Sequence, residues 1–381
     1  MARQKKHHYV PRFYLKLFSE SGLSVNLFNI LSERAVIGAN LKNQCYRNYF
    51  YGKDSRTEDA LSLIEGVMSG IIRSVISDCV LPPKTSEDRV TFLLYILIQN
   101  ARTVYSSDAL DEQLDKLMKH LIEPQIKEMN LDAEQLHRIK ITHENSARFG
   151  LAVATPLYPL LIDLEWKLLR ASDRNEFITS DNPVVFYNQL LFIKRYASNT
   201  GLSLKGLQVF FPIGPKHMLI LYDSEVYRVG SRRSTIIDVS NSRDIEQLNR
   251  LQFVSALENI YFRDAAYPVN QEFQCAKQFR RQQKARMRVF TEEETDEKRK
   301  ERIAISKEDV RTDLEVSFIR LLKSAKEWRR QFQHMNPRPA VVVRNKCLVR
   351  ELEDFLKLVD AGRYKPGEFF SYIRDIQAIR A

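Results

Sequence analysis

Four side chains in this sequence offer the groups that acid–base or phosphate chemistry needs: His8, Glu65, Arg102 and Asp181. They sit in short polar or mixed stretches far apart along the chain. The first stretch is "KKHHYVPRFYLKLF", residues 5–18. A histidine titrates close to neutral pH and is a common metal ligand. In an extended segment neighbouring side chains point to opposite faces. His7 and His8 therefore do not ligate one metal together without a kink, and one of them faces a site alone. Pro11 biases Val10 to an extended form. Tyr9, Phe13, Tyr14, Leu17 and Phe18 read as an anchor for the segment.

Glu65 falls at the spacing of Leu61, Met68 and Ile72, so it lies on or beside the apolar stripe of a helix. Arg102 stands at the end of a very apolar helical stretch, "VTFLLYILIQNA". A buried carboxylate needs a partner. The two residues form a structural ion pair, or they line a cavity in which Arg102 clamps a phosphate or carboxylate. The third stretch is "FITSDNPVVF", residues 177–186. As a turn it is ordinary, because Asp and Asn bond their own backbone and Asn-Pro favours turns. Polar groups at strand ends are also how sites are built on rigid scaffolds. Asp181 then serves as a general base or a metal ligand, with Ser180 and Asn182 beside it.

The elements that must position these residues follow from the pattern. "LSVNLFNI" (23–30) and "ERAVIGAN" read as a hairpin. A helix is expected over 57–79, capped by Thr57, and another from Ser86. Helical pattern continues through 108–130. "GLQVFFPIGPKHMLILYD" (206–223) reads as a hairpin around Gly214 and Pro215. One helix is expected over 242–262. Beyond residue 270 the composition changes to a charged, mainly helical extension. It has a solvated helix or linker at 291–302, a helix over 307–335, a strand at 340–344 and two closing helices. The expected class is α+β: helices on a small, largely antiparallel sheet, with a core domain at 1–270 and the basic extension at 271–381.

The net charge is +11, with 44% hydrophobic and 28% charged residues. Such a chain buries a core, and its excess positive charge suits an anionic partner, nucleic acid first. The run "KQFRRQQKARMR" (277–288) holds Lys277, Arg280, Arg281, Lys284, Arg286 and Arg288 and no acid. Together with Arg329 and Arg330 it is expected to supply backbone affinity. The four cysteines are widely separated and form no C-x-x-C pair, which fits a reducing cytoplasm. The longest unbroken apolar run, "FLLYILI", is short for a membrane span, and no membrane is expected. No Walker loop, G-x-S-x-G or H-E-x-x-H is present, so P-loop and zincin chemistry are not expected.

The order of "HHYVPRFYLKLF", "TEDALSLIEGVMSGII", "LIQNARTVY", "FITSDNPVV", "FFPIGPKHMLIL" and "LNRLQFVSALENIYF" resembles the bacterial family catalogued as domain of unknown function 4238. The likeness covers about residues 5–265. It implies that His8, Tyr9, Pro11, Tyr14, Glu65, Arg102, Ser180, Asp181, Asn182 and Pro183 match the family's motif positions. It also implies a bacterial or phage-related setting, and a defence role by analogy.

Two functions are expected from these readings. The first is a nucleic-acid enzyme, most simply a phosphodiesterase. His8 and Asp181, with Glu65, hold a divalent Mg or Mn ion or do acid–base work, and Arg102 stabilises phosphate charge. Tyr9, Arg12, Ser180, Asn182 and the 277–288 basics bind substrate, RNA or DNA. The alternative is a binding protein for nucleic acid or an acidic partner, without chemistry. In that case Glu65 pairs with Arg102, and Asp181 holds a turn.

Overall fold

A computed structural model describes residues 5–129, 133–192, 198–293, 299–335 and 342–380. The chain begins with β1 (Lys6–His8), α1 (Arg12–Lys16), β2 (Ser24–Asn29), β3 (Arg34–Asn40) and β4 (Tyr46–Asn48). β1 pairs antiparallel with β4, His8 opposite Tyr46. The backbone N–H of Tyr9 adds a bond to the Cys45 carbonyl at 2.8 Å. Main-chain bonds thus hold a segment that would otherwise fray. Pro11 precedes α1 with φ −63°, the value its ring imposes. Tyr14 is fully buried and stacks on Phe211, ring centroids 5.3 Å apart. Its hydroxyl donates to the Pro212 carbonyl at 2.7 Å and lies 2.6 Å from Thr179 Oγ1.

A helical layer follows: α2 (Arg56–Asp78), α3 (Glu87–Ala101), α4 (Val104–Glu128), α5 (Ala133–Arg138) and α6 (Ser146–Ala154). α2 buries Leu61, Met68, Ile71, Ile72 and Val75, a stripe at helical spacing. Ser55, not Thr57, stands at its N-cap, with no side-chain capping bond. Among the described residues α2 is the one helix long and apolar enough by composition to cross a membrane; here its stripe lies in the protein core. α3 is capped by Ser86, whose side chain accepts the Arg89 N–H. α4 is capped by Thr103, which accepts from the Ser106 N–H.

The strands that follow are β5 (Glu165–Ala171), β6 (Thr179–Ser180), β7 (Val185–Tyr187), β8 (Gln208–Gly214), β9 (His217–Tyr222), β10 (Tyr227–Val229) and β11 (Ile236–Val239), and five of them build the main sheet. Its order is β11-β5-β9-β8-β7, antiparallel except for β11 beside β5. The hairpin expected over 206–223 is β8–β9. Both strands are buried almost throughout, which is why they read as continuous apolar runs rather than alternating ones. α7 (Ser242–Ser255) then leads into β12 (Asn259–Phe262), in a second sheet of order β3-β2-β12-β6. The single helix expected over 242–262 is thus cut at Ser255. The fold is α+β, with small, largely antiparallel sheets.

The remaining elements are α8 (Val269–Lys277), β13 (Ala285–Glu293), β14 (Arg299–Lys307), β15 (Ile319–Leu321), α9 (Lys323–His334), α10 (Lys346–Asp360) and α11 (Phe369–Arg380). Two expectations are corrected here. The segment around 291–302 belongs to an antiparallel strand pair, in which Met287 faces Ile305 and Val289 faces Ile303. The helix expected over 307–335 begins only at Lys323, because the chain before it instead buries Val310, Leu314 and Val316. The strand expected at 340–344 lies partly outside the described residues; Val343 bridges to Leu204. α10 and α11 insert Leu348, Leu352, Phe355, Phe369 and Tyr372 into the same core cluster as Val10, Phe92 and Trp166. The residues before and after 270 therefore share one core.

Candidate functional site

Arg102 is the hub of the first polar cluster. It is fully buried at the C-cap of α3, where that very apolar helix ends. Its Nη1 donates to Glu65 Oε1 at 2.7 Å, its Nη2 to the His8 carbonyl at 2.6 Å, and its Nε to Tyr51 Oη at 3.1 Å. Glu65 keeps about a quarter of its side chain exposed, at 24%. Burial opposes the guanidinium charge, yet the Tyr51 and Glu65 neighbours hold the Arg102 pKa above its usual range. With each of its nitrogens engaged by protein, Arg102 positions other groups. It is not presented to a substrate phosphate, the role expected for it.

The two histidines separate as strand alternation requires. His7 is buried and stacks on Tyr51, centroids 5.7 Å apart, and its Nδ1 accepts the Tyr51 N–H. His8 is half-buried on the opposite face. Its Nδ1 lies 3.0 Å from the Gln44 carbonyl, so Nδ1 carries the proton and Nε2 carries a lone pair. Among the described residues no hydrogen-bond partner occupies Nε2. Burial first, then the charges of Arg12, Arg102 and Lys6, lower the His8 pKa to about 4, against the pull of the Gln44 carbonyl. His8 is therefore neutral at pH 7.

The surface around His8 is basic and aromatic. Lys6 and His8 share one face of β1, with Asn48 and Tyr46 opposite them on β4. The Lys6 ammonium lies 4.2 Å from the Tyr46 ring centre. Arg12 and Lys42 are exposed nearby in sequence, while Arg47 stands opposite His7 and Tyr49 packs edge-on against the His7 ring, centroids 6.2 Å apart. Tyr9, expected to touch substrate, is instead buried against Phe50.

Glu58 is the residue that sequence reasoning missed. By position it is a first-turn acid of α2, where the helix dipole favours acids. Burial raises its pKa to about 7, with Glu65 and Asp59 adding repulsion and Arg102 opposing them. Its Oε2 is buried without a hydrogen-bond partner. The available signal was the seven-residue interval to Glu65, which places both acids on one face of α2.

The "TSDNP" stretch builds a second cluster. Asp181 accepts three backbone N–H groups, from Leu257 at 2.8 Å, Glu258 at 2.7 Å and Asn259 at 2.9 Å. These donors form the turn that ends α7 and starts β12. Arg280 holds the same turn by its carbonyls, donating to Phe253 and Ala256 at 2.8 and 3.0 Å and to Leu257 at 3.2 Å. Ser180 donates to Gln252 Oε1 at 2.8 Å, and Asn182 donates to Ser255 Oγ at 3.0 Å. Burial pushes the Asp181 carboxyl up to about 6, against the three N–H groups. No hydrogen bond or ion pair joins His8 to Asp181 among the described residues. Asp181 acts electrostatically on Tyr9 and Cys45, which lie between the two clusters in the bonding network. The expected meeting of His8 with Asp181 in one site is thus replaced by two clusters. The reason is that both Asp181 oxygens are committed to backbone.

Much of the basic run is also committed. Lys277 pairs with Glu33, Lys284 with Asp108 and Arg286 with Glu308. Arg281 donates to the Ser255 and Glu308 carbonyls and lies over the Tyr105 ring at 3.8 Å. Arg288 is exposed. Among the described residues no group of three or more His, Cys, Asp or Glu side chains gathers as a metal-holding set. The ligand pair expected for Mg or Mn, His8 with Asp181, is divided between the clusters.

The fold and the two clusters define an α+β protein with a clamped strand–helix junction and a basic histidine face. The family model described as Protein of unknown function (DUF4238) matches residues 6–266, and the chain belongs to that family. No curated protein and no solved structure matches. Arg280 lies beyond the matched residues, yet it completes the clamp on the turn that Asp181 holds.

Proposed function

We propose that this protein binds nucleic acid on the face formed by β1, β4 and α1 and cleaves a phosphodiester there by acid–base chemistry. The observation that supports this reading is His8: a neutral imidazole, fixed in one tautomer by Gln44, with an unengaged Nε2 among cations. A carbonyl-anchored imidazole is a common way to hold a base or ligand in orientation. Lys6 and Arg12 hold the phosphate charge, and Tyr46, whose ring lies 5.9 Å from that of His8, offers ring surface to a base. His8 Nε2 accepts the hydrogen bond of the attacking hydroxyl or water. Its low pKa makes it a weak base, so the proton-donating work falls to Glu58, which titrates near neutrality. The attacking oxygen forms its P–O bond as the P–O bond to the leaving oxygen breaks, the attacking group's proton passes to His8 Nε2, and the leaving oxygen takes a proton from Glu58. Arg102 and Glu65 position His8 and Tyr51.

A second reading, binding without chemistry, is favoured by the clusters' internal bonding. Glu65 pairs with Arg102, and Asp181 holds a turn, as that reading expects. The test is incubation with single-stranded RNA, tRNA and duplex DNA, comparing wild type with His8→Asn. Asn keeps a donor for the Gln44 carbonyl and removes Nε2. Cleavage lost while binding is kept supports chemistry; binding without cleavage by either protein supports the second reading.

A further inference from the structure

A polar cavity of about 50 Å³ lies where the start of α4, the Asn182 loop and the end of β14 meet. By the usual share of one water per probe-sized volume, it has room for about three or four water-sized oxygens. Two cations line it. The Lys307 ammonium donates to Ser106 Oγ at 2.9 Å, and the Ser106 hydroxyl donates in turn to the Asn100 carbonyl at 2.5 Å. Arg281 donates to the Glu308 and Ser255 carbonyls and lies over the Tyr105 ring. Neither cation forms an ion pair with a carboxylate among the described residues.

The acids on the cavity wall are already engaged. Glu308 pairs with Arg286. Asp309 accepts from Ser198 at 2.9 Å, from Thr200 at 2.6 Å and from the Asn199 N–H at 2.8 Å. Two positive groups therefore face one small space with no carboxylate in contact with either; Asp309, whose partners are all neutral donors, keeps its charge on the same wall and offsets only part of theirs. Burial and the Arg281 charge lower the Lys307 pKa to about 8, the mark of an uncompensated cation.

We propose that this cavity binds one small oxyanion, phosphate by size and charge, between Lys307 and Arg281, with Ser106 and Asn182 as polar neighbours. Lys307 gives a point charge and Arg281 a planar fork, the two usual phosphate partners. Both cations lie beyond residue 266, so the C-terminal segment builds this site against the family core. The site is independent of the His8 reading.

The test is equilibrium dialysis of the full chain with labelled inorganic phosphate at pH 7 and constant ionic strength. A parallel arm uses a nucleoside monophosphate. Expected is one phosphate per chain, with affinity at least about tenfold weaker in Lys307→Met and Arg281→Met and retained in Lys307→Arg and His8→Asn. Tighter binding of the monophosphate supports the site and names an esterified phosphate as its source; tighter binding of phosphate names the free ion. Absence of stoichiometric binding by wild type in both arms overturns the proposal. So does unchanged affinity in folded Lys307→Met or Arg281→Met. Should either variant fail to fold, the wild-type stoichiometry and the Lys307→Arg affinity still decide.

Discussion

Asp181 and Arg280 grip one turn from its two polarities: the carboxylate takes the N–H groups of residues 257–259, and the guanidinium takes the carbonyls of Phe253, Ala256 and Leu257. The end of a helix leaves carbonyls without partners. Arg280 satisfies them, while Asp181 starts the next strand. The two charges also interact, the Asp181 charge favouring ionised Arg280 against its burial.

The clamp predicts a stability effect. Asp181→Ala leaves three N–H groups without their acceptor and should cost about 3 kcal/mol or more. Arg280→Met should cost about 1–3 kcal/mol by the same logic. Urea midpoints at unchanged slope measure both. Because the residues hold one turn, the double variant should lose less than the sum of the two. Simple additivity would show that they do not act together.

The Arg102 hub predicts an asymmetry. Arg102→Met strands Glu65, the His8 carbonyl and Tyr51, and should cost about 3 kcal/mol. Glu65→Gln keeps a hydrogen-bond acceptor at a partly exposed position and should cost about 1 kcal/mol. Equal losses, read from chemical denaturation, would contradict the placement of Arg102 as hub.

The pattern along the chain showed some of this and hid the rest for a physical reason. Ser86 was legible as a cap because its bond to Arg89 is local. The β8–β9 hairpin was legible because its apolar runs flank Gly214 and Pro215. The Glu65–Arg102 pair was legible because a carboxylate beside an apolar stripe must find a cation. α7 was over-extended because what stops it, Asp181, acts from 76 residues away. Glu58 looked like an ordinary first-turn acid, since its shifted titration comes from tertiary burial. The β13–β14 pair carried a period-two signal, with Met287 and Val289 facing Ile305 and Ile303, which the high charge of the segment masked.

His8 and Glu58 predict opposite pH trends in stability. The folded pKa of His8, about 4, lies below its ordinary 6.5. Its contribution is complete above pH 6.5 and is lost as pH falls toward 4. The folded pKa of Glu58, about 7, lies above its ordinary 4.5. Its contribution is complete below pH 4.5 and is lost as pH rises through 7. Across melting curves from pH 4 to 8, His8→Asn should flatten the acid limb and Glu58→Gln should raise the neutral limb. Unchanged pH profiles would remove both groups from the description.

Binding to nucleic acid should depend on the β1–α1 face rather than on the 277–288 run. Lys6→Gln and Arg12→Gln should each lower the slope of log affinity against log salt by about 0.7 for single strands. Lys277→Gln should leave it unchanged, since Lys277 pairs with Glu33. Fluorescence anisotropy across a salt series checks this, and the reverse ranking would move the interface to the C-terminal segment.

Cleavage of end-labelled RNA and DNA by wild type, His8→Asn and Glu58→Gln, each verified as folded and each run with and without Mg²⁺ or Mn²⁺, tests the proposed chemistry at His8 and Glu58. Expected is cleavage by wild type and a loss of about a hundredfold or more in each variant, with nucleic-acid affinity retained. Cleavage at the wild-type rate by His8→Asn, or intact substrate with every protein, would contradict it.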